Sequence, residues 1–480
     1  MEERHSMEYT VGVIGGGASG MAAAIAAARA GATVTLLEGN DRLGKKLLST
    51  GNGKCNLGNE KLAIEDYYTD CPELLQHCLS RFGTEETISF FRGLGLLVAS
   101  RNGYLYPMSE QAASVLDVLR FEVRRLGIEV VTDYRVSEVE PVYESGQTKE
   151  QRRTREYSGS GKRAAAGTRG RGGFRVLGEG SVYRFDRVIL ACGGKAAPRT
   201  GSDGSGYRIA GKLGHGMKTV VPALVQLRCR EDYFKSVAGV RVRAGLQVVC
   251  RGSCAARERG ELLLTDYGIS GIPVFQISRV VNYILQKEKK AEIVIDLFPD
   301  YPEEAFREFF AEREHLRRCC TTEEYFTGIL PKKLMLLMIR LAGLKASGSA
   351  EAVPGEGLCK VYELCRQWKV YVTGSNSYDN AQVCAGGIPL NEVTKNLESK
   401  KVPGLYFAGE ILDIDGKCGG YNLQWAWCSG HIAGTAAAGK ERKKGRDGLH
   451  AESESDKTAA GTYRGRAEET GGGYAADSGV

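Results

Sequence analysis

At 480 residues the chain exceeds the size at which a single hydrophobic core stops growing, so two or three domains are expected, one of them an insertion. Apolar residues make up 42% and charged residues 26%, the balance of a globular protein with ample material for a buried core. The formal charge of +7 gathers largely in residues 149–171 and 440–446, where a single aromatic, Tyr157, stands among the bases. Solvated linkers have that composition, and a nucleic-acid partner is not expected.

In chain order, residues 9–14 read as a short buried strand, 15–20 as a tight turn, 21–30 as an alanine-rich helix ending at Gly31, and 33–38 as the next strand. That is a βαβ unit, and its parallel strands require a right-handed crossover with helices covering the sheet. The fold class is therefore α/β, doubly wound. Residues 43–59 are rich in Gly, Lys, Asn and Ser without either period and read as an ordered loop. Residues 74–91 and 112–126 read as helices with a Gly/Pro-punctuated turn region, 102–108, between them, and 128–140 as paired strands. Residues 146–173 are too poor in apolar side chains to offset their ordering entropy and read as a mobile hairpin tip.

Residues 183–190 return to strand character and run into Ala191-Cys192-Gly193-Gly194. Between 201 and 369, strand-like pieces (224–229, 246–250, 293–297) alternate with helical ones (302–318, 334–341), the pattern of an inserted α+β domain. Residues 370–387 and 404–408 restore short strands, 419–434 begin a final helix, and the low-complexity stretch 440–480 reads as a disordered tail. The expected division is 1–200 and 370–439 for the two segments of the nucleotide-binding domain and 201–369 for the insertion. The 14 cysteines form no CxxC pair and no Cys/His cluster at zinc spacing, so reduced thiols and no metal are expected. A polar N-terminus and the lack of an apolar run of about 18 residues point to a cytoplasmic protein without a membrane partner.

The turn Gly15-Gly16-Gly17-Ala18-Ser19-Gly20 satisfies GxGxxG after a strand and at the start of a helix. Gly15 permits the tight turn, Gly17 lets the backbone approach a pyrophosphate, and Gly20 allows helix and strand to pack closely. Glu38 ends the second strand, where an acid accepts hydrogen bonds from adenosine ribose hydroxyls. FAD and a nicotinamide dinucleotide both fit this fingerprint. The far end of the chain favours FAD: residues 404–410 form a short apolar strand that delivers Glu410 at its carboxyl end, placed to accept from ribityl hydroxyls. Behind it, Gly419-Gly420-Tyr421-Asn422-Leu423-Gln424 opens a helix whose amino end would stabilise negative charge on a reduced flavin.

These segments resemble the aminoacetone oxidase family of FAD-binding, NAD(P)/FAD-dependent oxidoreductases, which includes a 3-dehydro-bile-acid reductase. The motifs are VIGGGASGMAAA from Val13, GKKLLSTGNGKCN from Gly44, VILACGGKAAPRTGSDGSGY from Val188, GISG around Ser270, AQVCAGGI from Ala381 and GLYFAGEILDIDGKCGGYNLQWAWCSG from Gly404. The resemblance implies a Rossmann-like FAD-binding domain with an inserted α+β domain, part β-barrel-like and part helical. It implies that Gly15, Gly17, Ala18, Ser19, Gly20 and Glu38 hold the adenosine half of FAD. Lys45, Lys46 and the loop carrying Gly51, Gly53 and Asn56 would cover the cofactor, and Val136 would meet the adenine. Gly193, Gly194, Gly409, Glu410, Asn422, Leu423 and Gln424 would complete the pocket.

The flavin accepts or delivers the hydride, so no side chain has to be a nucleophile and no catalytic residue is assigned. Cys55, Cys192, Cys384 and Cys418 fall within motifs but read as packing thiols, Tyr421 as a packing aromatic and His215 as structural. Lys195 and Arg199 are candidates for contact with a phosphate or an acidic substrate. With no second GxGxxG, NAD(P)H would visit the flavin transiently. The leading expectation is NAD(P)H-dependent reduction of an activated C=C bond in a small molecule, such as a 3-oxo-delta-4,6 bile acid or another enone. The alternatives are an aminoacetone-type amine oxidase using dioxygen, a tRNA-modifying flavoprotein, and a flavin sensor without turnover.

Overall fold

The computed structural model describes residues 9–143 and 171–439. Most of the 146–173 segment and the whole of 440–480 lie outside the described residues.

A five-stranded parallel sheet forms the heart of the nucleotide-binding domain, in the order Leu405–Phe407, Arg187–Leu190, Thr10–Ile14, Thr33–Leu37, Glu129–Val131. The first strand is central because the chain winds outward from it in both directions, which makes its carboxyl end a topological switch point. The α/β expectation and the returning strand near residue 405 hold. Residues 128–140, read as a strand pair, instead serve two sheets: Glu129–Val131 closes the parallel sheet, whereas Val136–Tyr143 joins Arg171–Gly178 and Val182–Phe185 in an antiparallel one. The strand read at 183–190 likewise divides between Val182–Phe185 and Arg187–Leu190.

Two helices cover the switch point. Ala18–Arg29 is buried almost all round, because its alanines are small enough to lie against both the sheet and a second helix, Tyr421–Ala437. A Cβ at Gly430 would come within 2.4 Å of the Ser19 carbonyl oxygen, and one at Gly434 within 2.2 Å of that of Ala23. The helices therefore touch backbone to backbone. The pairing 430 with 19 and 434 with 23 makes them parallel, and it lets the amino end of the second project beyond that of the first by about 12 Å, at about 1.5 Å per residue.

The helix read at 74–91 is two helices, Pro72–Leu79 and Thr84–Gly93. Gly83 breaks it: its N–H donates to the Glu86 carboxylate at 2.9 Å, which starts a new helix. The turn region at 102–108 is a hairpin of Val98–Arg101 and Tyr104–Pro107, closed by Asn102 and Gly103, both at positive φ (54° and 85°). An Asn-Gly pair suits that mirror-image turn, whose twist matches the strands it joins.

A closed barrel is built from Leu227–Cys229, Gly268–Ser270, Ser253–Thr265, Arg241–Cys250, Ala291–Asp296 and Trp368–Ser375. The strand read at 224–229 is interrupted at Leu224 (φ 50°), which separates Lys218–Ala223 from Leu227–Cys229. Barrel side chains such as Leu246, Leu262, Ile293 and Trp368 share one core with the helices Glu303–Arg313, Lys332–Leu341 and Gly355–Arg366. Helix Ile272–Leu285 follows directly from the barrel strand ending at Ser270. Among the described residues, no helix is long and apolar enough to cross a membrane.

Candidate functional site

A cavity of about 700 Å³ opens at the carboxyl ends of the parallel strands. Such volumes are typical of small-molecule sites, about 300–1,000 Å³, and this position is where open α/β sheets take ligands. Its wall combines residues following Ile14, Leu37 and Leu190 with the start of helix Tyr421–Ala437, so the first and last motifs of the sequence meet.

Around the glycine turn the backbone leaves little choice of residue. Gly15 has φ 104°, and a Cβ there would lie 2.6 Å from the Ala191 carbonyl oxygen; at Gly20 it would lie 1.8 Å from that of Gly15. Gly17 is different: it caps helix Ala18–Arg29, and a Cβ there would meet no protein atom within 4 Å. Open space thus faces the unpaired N–H groups of the first helical turn, the arrangement that receives phosphate. Ala18 and Ser19 line the same wall.

Glu38 is buried beside this turn. Its carboxylate accepts from the Gly16 N–H at 2.7 Å and from the Asn40 backbone and side-chain N–H groups at 2.8 and 2.6 Å. These donors hold the acid at the cavity edge with acceptor capacity to spare. Val136 lines the cavity next to Tyr134, whose hydroxyl donates to the Ser181 carbonyl at 2.7 Å, and Arg135, which is ion-paired with Asp203.

Around the start of the last helix, Lys46 Nζ pairs with Glu410 at 2.9 Å, and the Cys384 N–H donates to the other oxygen of the same carboxylate at 2.7 Å. Lys45 pairs with Asp41 at 2.6 Å. Gly51 and Asn52 take left-handed conformations that fold the 46–53 segment over the cavity. Asn56 places its amide between the Gly58 carbonyl oxygen, at 2.7 Å, and the Gly420 N–H. Asn422 does not cap its helix; it accepts from the Gly416 N–H at 2.9 Å and donates to the Gly416 carbonyl at 2.8 Å, fixing the turn before the helix. Gly193, Asn422 and Leu423 all line the cavity.

Five expected residues stand behind the wall. Gly20 serves helix packing. Gly53 sits at positive φ (83°) in the loop. Gly194 leaves room for the Glu410 carboxylate, which a Cβ would approach to 2.7 Å. Gly409, at φ 80°, donates to Ser429 Oγ at 2.8 Å. Gln424 points elsewhere: fully buried, it accepts from the Thr87 hydroxyl at 3.0 Å and donates to the Gly83 carbonyl at 3.0 Å, so it ties the last helix to helix Thr84–Gly93.

Other wall residues were not anticipated. Tyr104 and Tyr106 enter from the hairpin, and Leu224, Ile272 and Phe275 from the inserted region. The Asn-Gly turn followed by alternating Tyr-Leu-Tyr-Pro was the available signal: Leu105 and Pro107 are buried while both tyrosines face the cavity.

All 14 cysteines are free thiols. Burial pushes Cys55 and Cys192 up to about 12 and raises Cys384 and Cys418, which keeps them protonated and unreactive. His215 is structural, held between Glu392 (2.7 Å) and Ser399 (2.9 Å), and burial lowers its pKa. The Tyr421 hydroxyl donates to the Lys61 carbonyl at 3.2 Å, away from the cavity wall. Lys195 lies over the Tyr378 ring at 4.7 Å and Arg199 is 91% exposed, neither lining the cavity. Just behind the wall, burial pushes the Asp415 carboxyl up to about 7 although Arg279 pairs with it at 3.0 Å.

The residues present fit a dinucleotide with a ring system at one end. Amide donors with free space above them suit a pyrophosphate, held acids suit sugar hydroxyls, and the staggered helix starts suit an elongated ligand. Among the described residues, no cluster of His, Cys, Asp or Glu could hold a metal ion.

The family model described as HI0933-like protein Rossmann domain matches residues 9–436. A 3-dehydro-bile acid delta(4,6)-reductase of Clostridium scindens is 42% identical over 433 residues, 89% of this chain and 98% of the relative. A ribosomal RNA dihydrouridine synthase of Haemophilus influenzae is 28% identical over 424 residues, 87% of this chain and 96% of the relative. Among solved structures, a 3-ketosteroid delta1-dehydrogenase from Sterolibacterium denitrificans aligns with 13% identity and a TM-score of 0.46, covering 90% of this chain and 99% of that one. The resemblance drawn from the sequence motifs is borne out.

Proposed function

The chain belongs to the HI0933-like FAD-binding Rossmann family, and from that premise we propose that it is an FAD-dependent oxidoreductase reducing a C=C bond conjugated to a carbonyl. The substrate class proposed is a 3-oxo bile acid or a similar fused-ring enone. The observation that carries the reading is the pair of parallel helices whose amino ends, staggered by about 12 Å at about 1.5 Å per residue, open onto one cavity. The 42% identity to the bile acid reductase, across nearly its whole length, supports the substrate class.

FAD, when bound, supplies the hydride chemistry, with NAD(P)H as the proposed source of electrons. The protein does the holding. Gly17 and the first turn of helix Ala18–Arg29 donate backbone N–H groups to the pyrophosphate, and Glu38 accepts from the adenosine ribose. Tyr134, Arg135 and Val136 bound the adenine seat. Glu410, kept in place by Lys46 and the Cys384 N–H, accepts from the ribityl chain. The amino end of helix Tyr421–Ala437 stabilises negative charge on the ring, and Asn422 fixes the turn that aims it. Leu224, Ile272 and Phe275 form an apolar flank that takes a flat hydrophobic substrate and sheds water from it.

Anaerobic mixing of the yellow holoenzyme with NADH or NADPH, followed by a 3-oxo-4-ene bile acid, tests this. The proposal expects the flavin to bleach and then to regain colour at a rate set by enone concentration. Reoxidation by air alone, after bleaching by aminoacetone, would establish the oxidase alternative. Reoxidation only by a ribosomal RNA fragment would place this chain with its RNA-acting relatives.

A further inference from the structure

Resting on the enone-reductase reading above, we propose that Tyr104 and Tyr106 form the hydrogen-bond donor pair that receives the substrate's carbonyl oxygen. Their place between the cofactor-covering loop and the start of the last helix leads to them. Most charged groups along the cavity wall are already engaged: Lys46 with Glu410, Arg135 with Asp203, and Lys417 with Asp66 at 3.0 Å. Glu38 is held by three N–H donors, and the Tyr134 hydroxyl is spent on a backbone carbonyl. Tyr104 and Tyr106 line the same cavity, and their hydroxyls have no hydrogen-bond partner among the described residues. Cys418 beside them offers only a thiol, a weak donor.

The hairpin fixes both rings. Two residues apart on strand Tyr104–Pro107, they share one face, with Leu105 and Pro107 anchoring the other in the core. The Tyr104 ring sits over Gly419, where a Cβ would approach it to 2.7 Å, and the Tyr106 ring lies near Gly51. Both therefore stand between the cofactor-covering loop and the turn that starts the last helix. Burial raises the Tyr106 pKa, and the neighbouring Tyr104 raises it further, so Tyr106 stays protonated and able to donate at neutral pH.

The chemistry needs such donors. When a hydride, with two electrons drawn from a reduced nicotinamide, adds to the carbon beta to the carbonyl, a C–H bond forms and the C=C π pair shifts toward the carbonyl. Negative charge collects on the carbonyl oxygen. The two phenols donate hydrogen bonds to that oxygen and keep their own protons. The alpha carbon then takes a proton from water, which completes the saturated ketone. Donors fixed before the reaction, in a cavity with an apolar flank, are the arrangement that stabilises a developing oxyanion.

Holoenzyme variants Y104F, Y106F and the double variant test the assignment, with flavin content and circular dichroism as controls. An enone's ultraviolet band moves to longer wavelength when its carbonyl accepts strong hydrogen bonds, so a 3-oxo-4-ene bile acid titrated into oxidised holoenzyme reports those bonds without turnover. The expected result is a clear shift with the wild type, a smaller one with each single variant and none with the double variant. The rate of enone-dependent flavin reoxidation should fall by about 100- to 1,000-fold per hydroxyl removed. A double variant that keeps both the spectral shift and a rate within about twofold of wild type would overturn the pair's role while leaving the enone reading intact. Loss of flavin or of folding in Y104F or Y106F would also overturn it, in favour of packing. A wild-type protein that neither shifts nor reduces the enone would instead sink the reading on which the pair depends.

Discussion

Gly17→Ala and Gly20→Ala introduce the same methyl group three residues apart with opposite expected consequences. At Gly17 the backbone (φ −78°, ψ −167°) suits any residue, and the new Cβ meets no protein atom within 4 Å. Alanine is a poorer helix cap than glycine by about 0.5–1 kcal/mol, while the stiffer unfolded chain returns about 0.4–1 kcal/mol. Apoprotein stability should therefore change by less than about 1 kcal/mol. The methyl would nevertheless stand where the pyrophosphate must approach. Losing one hydrogen bond to a charged group, worth about 1.5–3 kcal/mol, weakens FAD binding by about tenfold to a little over a hundredfold. At Gly20 the Cβ would fall 1.8 Å from the Gly15 carbonyl oxygen, so helix and turn must separate and folding should suffer by about 1–3 kcal/mol or more. Urea denaturation of the apoprotein, with FAD titration followed by flavin fluorescence, separates the two effects. Wild-type FAD affinity in G17A, or a loss of several kcal/mol in its apoprotein, would refute this reasoning.

Glu38→Ala removes the acceptor of the Gly16 N–H and should destabilise the apoprotein by about 1–3 kcal/mol in urea melts, besides weakening FAD binding. Gly434→Ala, remote from the cavity, should cost about 1–3 kcal/mol by forcing apart the two helices, and flavin dissociation measured after dilution should quicken with it. Asp415 has a folded-state pKa raised from 3.8 to about 7 by burial, so between those values the native state holds a proton that the unfolded chain has released. Its contribution to stability is thus fully present below about pH 3.8 and declines as pH rises to about 7. Against Asp415→Asn in parallel pH-dependent melts, the wild type should lose stability over that window, and equal slopes would contradict the assignment.

The parts of the site legible in the sequence are those whose chemistry is local. Gly15, Gly17 and Gly20 each answer a constraint set by a few neighbouring atoms, and Glu38 and Glu410 follow directly from apolar strands. Gln424 misled because its place in a helix beside the cavity says nothing about which face it occupies; its partners, Thr87 and Gly83, come from a distant segment. Tyr104 and Tyr106 escape the sequence reading because the Asn102-Gly103 turn reads there as loop punctuation rather than as the closure of a hairpin. The barrel strands were only partly visible, since their pairing joins residues as far apart as Leu227 and Ser375, a register no local pattern records. The close contact of helices Ala18–Arg29 and Tyr421–Ala437 was equally hidden, although the small residues that permit it stand plainly in both segments.

The central claim is that the opening glycine turn and the start of the last helix hold the two ends of one FAD. A crystal structure of the protein with FAD tests it most directly. The account predicts pyrophosphate oxygens on the N–H groups that follow Gly17 and the isoalloxazine ring against the Gly420–Leu423 turn, beside Tyr104 and Tyr106. An FAD seated elsewhere, or one whose ring lies away from Asn422, would contradict it.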